Sequence, residues 1–231
     1  MATLVVKASV TKRTVARIPV ARPSPSKGKD VPRVFILSPA NMAGLRAKLL
    51  MNPVAPFPLA QKFRAEGVPL ADAFSFTSGL YFRGKIDYAR HFASANRRDV
   101  IRVITSNAGL LDPNEIVRPK DISAFGQTDI DPLDPKYHEP LRRDALKLAE
   151  RTGRGQVVFL GSIATPKYRH VLLDVFGERL VFPIDFVGRG DLSRGGLLVR
   201  AVRENRELAY QKVADAVYTG RRAAKVSEIS F

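Results

Sequence analysis

From Arg33 onward one unit recurs: a short uninterrupted apolar run, a small polar turn, then a helical stretch. Arg33–Leu37 (RVFIL) leads into Ser38-Pro39-Ala40-Asn41 and a helix through Gly44–Met51. Ala73–Phe76 leads into Thr77-Ser78-Gly79 and, later, a helix at Ile86–Ala93. Val100–Thr105 leads into Ser106-Asn107-Ala108-Gly109. Gln156–Leu160 leads into Gly161–Thr165 and a helix at Pro166–Phe176, and Arg179–Phe182 ends on Pro183. Runs rich in Val, Ile and Phe without polar alternation are expected for strands covered on both faces. Strands that alternate with helices imply a largely parallel sheet with crossover connections. The expectation is an α/β fold, a three-layer sandwich around a largely parallel central sheet. Leu111–Tyr137, rich in Pro and Asp, reads as a wrapping loop with short turns, and Arg221–Phe231 as a tail.

Residues 1–32 read as a basic arm and linker, and 33–231 as the α/β domain. The first 29 residues hold seven cations and no acid, and run through Pro23-Ser24-Pro25-Ser26. A strand at Thr3–Val10 with a basic loop fits them, as does an organelle transit peptide. No secretory signal stands at the start, and no apolar run is long enough to span a bilayer. A cytoplasmic protein is expected.

Charge narrows the partner. Lys plus Arg is 38 against 22 Asp plus Glu, a net of +16. Such an excess draws polyanions and points to nucleic acid, with a merely basic surface or an anionic membrane as the alternatives. The chain has no cysteine, which excludes thiol nucleophiles, disulfides, iron–sulfur clusters and cysteine-ligated zinc. Its three histidines are scattered, so neither a metal nor a cofactor is expected.

In open α/β sheets ligands bind beyond the carboxyl ends of the strands. Four such tips carry small polar residues: Ser38–Asn41, Thr77–Gly79, Ser106-Asn107 and Gly161-Ser162. Helix caps and turns use the same residue types, so the expectation rests on all four sharing an edge. In Ser78–Lys85 (SGLYFRGK) two aromatics stand among cations and glycines. There Phe82 is expected in the core, Tyr81 free to stack on a base, and Arg83 and Lys85 free to hold phosphates. Val187–Gly196 holds four glycines and two arginines in ten residues. It reads as a phosphate-gripping loop through Arg189 and Arg194 rather than a dinucleotide fingerprint, since Ser193 replaces the third glycine. Asp191 between the arginines is either a structural ion pair or a held catalytic carboxylate. Lys167, in the first turn of a helix, works against the helix dipole, so it serves an anion or is solvated. Asp129 and Asp131, two apart, either share a strand face suited to Mg²⁺ or are turn residues.

The segments Leu37–Asn41, Ser78–Lys85, Ser106–Pro113 (SNAGLLDP), Gly161–Tyr168 (GSIATPKY) and Phe186–Gly196 (FVGRGDLSRGG) together resemble a bacterial family of α/β proteins over most of residues 33–205. That family includes DNA glycosylases of phage defence that release glucosylated hydroxymethylcytosine. The order of strand, Ser-Pro turn and helix is also distantly similar to uracil-DNA-glycosylase-type folds and to YaaA-type peroxide-stress proteins. The Gly-x-Asp-Pro-Tyr motif of the uracil enzymes does not occur; Asn41 stands nearest its place, similar to mismatch-specific relatives that use Asn there. The resemblance implies a metal-independent DNA glycosylase acting on double-stranded DNA. Of the residues, the resemblance carries over Asn41 alone; on the glycosylase reading of the residues themselves Asn41, Asp191 and, behind it, Asp129 would be catalytic, Ser38, Tyr81, Asn107 and Ser162 would hold the base, and Arg83, Lys85, Lys167, Arg189 and Arg194 would hold the backbone. The alternatives are a non-catalytic DNA- or RNA-binding protein and an enzyme acting on small nucleotide phosphates.

Overall fold

In the computed structural model, which describes residues 33–93 and 100–218, the chain is α/β around a mixed, mostly parallel six-stranded sheet. The basic arm and the C-terminal tail expected from sequence lie outside the described residues. In chain order the elements are β1 (Val34–Leu37), α1 (Leu45–Met51), α2 (Pro58–Ala65), β2 (Val68–Pro69), α3 (Leu70–Ser78), α4 (Leu80–Phe92), β3 (Val100–Ile104), β4 (Leu110–Leu111), β5 (Ile116–Val117), α5 (Pro119–Gln127), α6 (Pro135–Thr152), β6 (Val157–Leu160), α7 (Pro166–Phe176), β7 (Leu180–Pro183), α8 (Asp191–Arg203) and β8 (Tyr210–Lys212). No described helix is long and apolar enough to cross a membrane.

The sheet runs β4-β3-β1-β6-β7-β8, with β3, β1, β6 and β7 parallel and the two edge strands antiparallel. Every residue of β1, β6 and β7 is buried. Both faces of these strands are therefore covered, which is why their sequences are continuous apolar runs. α4 packs on α8, and α6 on α7, so two helical pairs clothe the sheet in an arrangement compatible with three layers. Leu37 is in register with Val103 on one side and Leu160 on the other, so three strands end together. β1 leads to β3 on one side of it, while β6 leads to β7 on the other. Such a reversal leaves a crevice between the strands' carboxyl ends.

Four local expectations are corrected. Ala73–Phe76 is not a strand but part of α3, whose buried Leu70, Ala71, Ala73 and Phe74 follow a helical period. Thr77–Gly79 is thus a helix–helix junction, where Gly79 takes a φ of 64° that lets α3 break directly into α4. α4 itself begins at Leu80, so Tyr81–Lys85 are helical rather than an open loop. The wrapping loop of Leu111–Tyr137 contains the nine-residue helix α5. The loop expected at Val187–Gly196 gives way to α8 at Asp191.

α4 and α8 approach through glycine. A Cβ on Gly195 would lie 3.1 Å from the Tyr81 Cα and 3.1 Å from the Leu80 Cγ, whereas one on Gly196 meets nothing within 4 Å. Gly195→Ala is expected to lower stability by about 1–3 kcal/mol, because the contact is partly backbone and the helices must part. Gly196→Ala is expected to gain up to about 1 kcal/mol from helix propensity alone. Urea midpoints of the two variants check this; equal shifts would mean that the helix contact is not close.

Candidate active-site crevice

The strand register brings the turn after β1 beside the turn after β6. Their ladder continues one residue beyond the strands, with the Ser38 N–H donating to the Leu160 carbonyl at 3.2 Å. Above this edge opens a crevice of about 550 Å³. Ser38, Asn41, Tyr81, Asp129, Ser162, Lys167 and Asp191 all line it, contributed by the β1 turn, α4, the segment after α5, the β6 turn, α7 and α8. Ser78, at the end of α3, lines it as well.

Asn41 is exposed, and its Oδ1 accepts the Ala43 N–H at 3.0 Å. That turn fixes the side chain. Among the described residues its amide nitrogen donates to nothing and faces no competitor for a ligand. Ser162 and Asp191 are tied together by Arg194. Arg194 donates through Nη2 to the Ser162 Oγ at 3.3 Å, through Nη1 to Asp191 at 3.4 Å and through Nε to the Phe186 carbonyl at 3.2 Å. The Arg194 side chain is only 9% exposed, while the Asp191 side chain is 71% exposed. One buried cation thus holds a carboxylate that still faces solvent at the crevice. Asp129 is exposed on the wall formed after α5. Asp131 accepts the Leu133 N–H at 2.9 Å and is a turn residue outside the crevice, so the two acids do not form a shared metal face. Among the described residues no cluster of His, Asp and Glu is grouped to hold a metal ion.

Several expected phosphate contacts are corrected by burial. Lys85 is fully buried beneath the crevice. Its Nζ donates to the Ser38 carbonyl at 2.5 Å and to the Ser38 Oγ at 2.8 Å, and stands 4.5 Å from the centre of the Tyr81 ring. Burial pulls its ammonium down to about 7, against a smaller opposing pull from Asp191. Arg194 serves the protein rather than a phosphate. Arg189 is half-buried, donates to the Ser193 Oγ at 3.1 Å and does not line the crevice. Arg83 is exposed on α4 but lies off the crevice lining. Lys167 is thus the one expected backbone cation found at the crevice.

Tyr81 is not free to stack. It is 6% exposed, with Lys85 over its face and Phe186 at its edge, 6.3 Å between ring centres. Its buried hydroxyl has no hydrogen-bond partner among the described residues; Arg194 approaches it without meeting hydrogen-bond geometry. Burial holds this phenol protonated well above the ordinary range. Asn107 also misses the crevice; its amide reaches the Thr128 Oγ1 at 3.4 Å from an adjoining depression, while its neighbour Ser106 lines the crevice.

Sequence reasoning missed the aromatic part of the wall. Phe74, Phe125 and Tyr168 line the crevice, Phe74 and Phe125 meeting edge to face at 6.2 Å. Burial and Asp191 push the Tyr168 hydroxyl up to about 12. Phe125 is set in place by the Ser106 Oγ, which donates to its carbonyl at 2.8 Å. The signal for α5 was present: Pro119 at its first position and Asp121 at its third, whose carboxylate accepts the Arg118 N–H at 2.8 Å.

The arrangement therefore presents one amide, two solvent-facing carboxylates, a cation and an aromatic wall in a concave space at the strand ends. Compared with family models, curated proteins and solved structures, the chain matches none.

Proposed function

We propose that this protein is a DNA glycosylase that draws a modified nucleobase out of duplex DNA into the crevice and hydrolyses its N-glycosidic bond. The observation that carries the reading is the meeting of Asn41, Asp191, Asp129, Ser162 and Lys167 in one crevice at the sheet's switch point, on a chain of net charge +16. A space of about 550 Å³ admits a nucleoside with room for a bulky substituent. The sequence resemblance suggests glucosylated hydroxymethylcytosine of phage DNA as that base, bacterial cytoplasm as the setting and phage defence as the role. It also favours a uracil-DNA-glycosylase-like variety of the fold.

Chemically, the bond between C1′ and the base nitrogen breaks as the sugar takes on oxocarbenium character. Asp191, oriented by Arg194, faces that positive charge or takes a proton from the attacking water. The water's oxygen joins C1′, its proton passes to the carboxylate and then to the departing base, and an abasic site remains. The Asn41 amide positions the water, Ser162 and Ser38 border the base, and Lys167 meets the adjacent phosphate.

The test is incubation with DNAs of differing modification, reading released base by mass spectrometry and abasic sites as alkali-labile breaks. Asn41→Ala is expected to keep duplex affinity within about twofold and to slow single-turnover release about 10²-fold or more. No base from any modified DNA, with salt-steep binding retained, would instead favour a non-catalytic nucleic-acid-binding protein.

A further inference from the structure

Beside the crevice lies a second depression of about 600 Å³, and Thr128 forms part of the wall of both. We infer that this depression is a subsite for the nucleotide next to the extruded one, in the same DNA strand. The inference rests on the glycosylase reading and adds a contact that would set sequence context.

The residues suit a nucleotide. Pro135, Lys136, Glu139, Pro140 and Arg143 come from the first turns of α6. Asn107 reaches in from the turn after β3. The proline rings offer flat apolar faces of the kind on which a base can lie. The Lys136 ammonium has no hydrogen bond or ion pair among the described residues. Arg143 is held through Nε and Nη2 by Asp144, at 2.8 and 3.1 Å, which leaves Nη1 uncommitted among the described residues. Asp144 in turn accepts the Leu110 N–H at 3.1 Å, so this arginine is fixed against the sheet rather than loose. Two cations on a rigid helix start can take one phosphate, with Glu139 the single acid in the lining. Pro140 brings no N–H to the Lys136 carbonyl, so the helix leaves an acceptor without its usual donor. The Asn107 amide supplies a group able to read a base edge. Because Thr128 divides the two spaces and the Asn107 amide touches it at 3.4 Å, an occupant of one lies beside an occupant of the other.

The experiment compares wild type, the double variant Lys136→Ala/Arg143→Ala, and Lys62→Ala on exposed α2 as a charge control. The first readout is the salt dependence of binding to an unmodified single-stranded oligonucleotide. Loss of that phosphate contact lowers the slope of log K against log salt by about 0.7 in the double variant, and Lys62→Ala leaves it nearly unchanged. The second is base release from duplexes in which one neighbour of the modified base is replaced by an abasic spacer. A spacer on the correct side slows wild-type release about tenfold, and the double variant loses that discrimination. Should wild type release no base while the slope change stands, the glycosylase reading falls and the nucleotide subsite remains. Should release occur while neither the double substitution nor the spacer alters it, the subsite falls and the glycosylase reading remains. A slope change in Lys62→Ala as large as that in the double variant also overturns the subsite, because diffuse charge would then account for the binding.

Discussion

Folding stability is expected to rise between pH 7 and 9 in the wild type and to stay nearly flat in Lys85→Met. In the unfolded chain the Lys85 amine titrates at its ordinary value of 10.5; in the fold, burial brings it to about 7. Between those values the unfolded chain keeps a proton that the folded chain has released. Raising the pH therefore favours the fold, and below 7, where both forms are protonated, the whole cost of the buried charge is present. At about 1.4 kcal/mol per pH unit the rise from pH 7 to 9 is on the order of 2 kcal/mol. The charges acting on the amine are Asp191, which favours the ammonium, and Arg194, which opposes it. Methionine keeps the stem but strips the donors from the Ser38 carbonyl and Oγ, at a cost of about 1–3 kcal/mol. Removal of the buried charge works the other way, so the pH slope, rather than stability at one pH, identifies the effect. Above about pH 9.5 the trend reverses, since burial raises Tyr81, Tyr88, Tyr137, Tyr168 and Tyr210 and the unfolded tyrosines ionise first. Urea unfolding at pH 7 and 9 reads the difference; an undiminished rise in Lys85→Met would mean that another group titrates.

Lys85 also marks where the sequence was hard to read. The parallel strands were legible because burial on both faces leaves a run such as Val157–Leu160 no polar position to interrupt it. α7 was legible because Pro166 opens it and Gly177 closes it with a φ of 52°. The first half of α4 was not, although its second half was read as the helix at Ile86–Ala93, because Gly79 and Gly84 look like breakers. One forms the junction with α3; the other is a close contact, where a Cβ would stand 3.1 Å from the Gly195 carbonyl of α8. Once the helix is known to start at Leu80, phase explains the lysine. It lies three residues after Phe82 and four before Ala89, both fully buried, so it belongs to the core-facing stripe. A cation among aromatics then marks a buried ion rather than a surface phosphate contact. The same phase places Arg194 four before buried Leu198. At the crevice, Asn41 and Ser162 could be placed by the rule that ligands gather at strand ends. The aromatic wall could not, because Phe125 arrives on a helix from a distant, proline-rich stretch whose packing only the tertiary structure reveals.

Asp191→Asn is expected to slow single-turnover base release by about 10²–10⁴-fold, and Asp129→Asn by about tenfold or less. The reason is orientation. The carboxylate of Asp191 is tethered to a buried guanidinium that also holds Ser162, so its position is set by both α8 and the β6 turn. Asp129 follows the end of α5, exposed, with no hydrogen bond or ion pair among the described residues. A group that must meet a developing charge contributes most when it does not have to reorganise at that moment. Asparagine preserves the Asp191 shape and can still accept from Arg194, so the fold and the duplex affinity should hold. Affinity should even rise slightly, because one negative charge beside the phosphates is gone. Measured side by side, release rates and duplex dissociation constants separate the roles. If Asp129→Asn proves the more damaging while Asp191→Asn releases base at the wild-type rate, then Asp129 carries the chemistry and the Asp191–Arg194 pair is an ion pair that shapes the crevice. If both variants bind more weakly in proportion to their loss of release, the carboxylates act in binding, and the oxocarbenium role assigned to Asp191 is wrong.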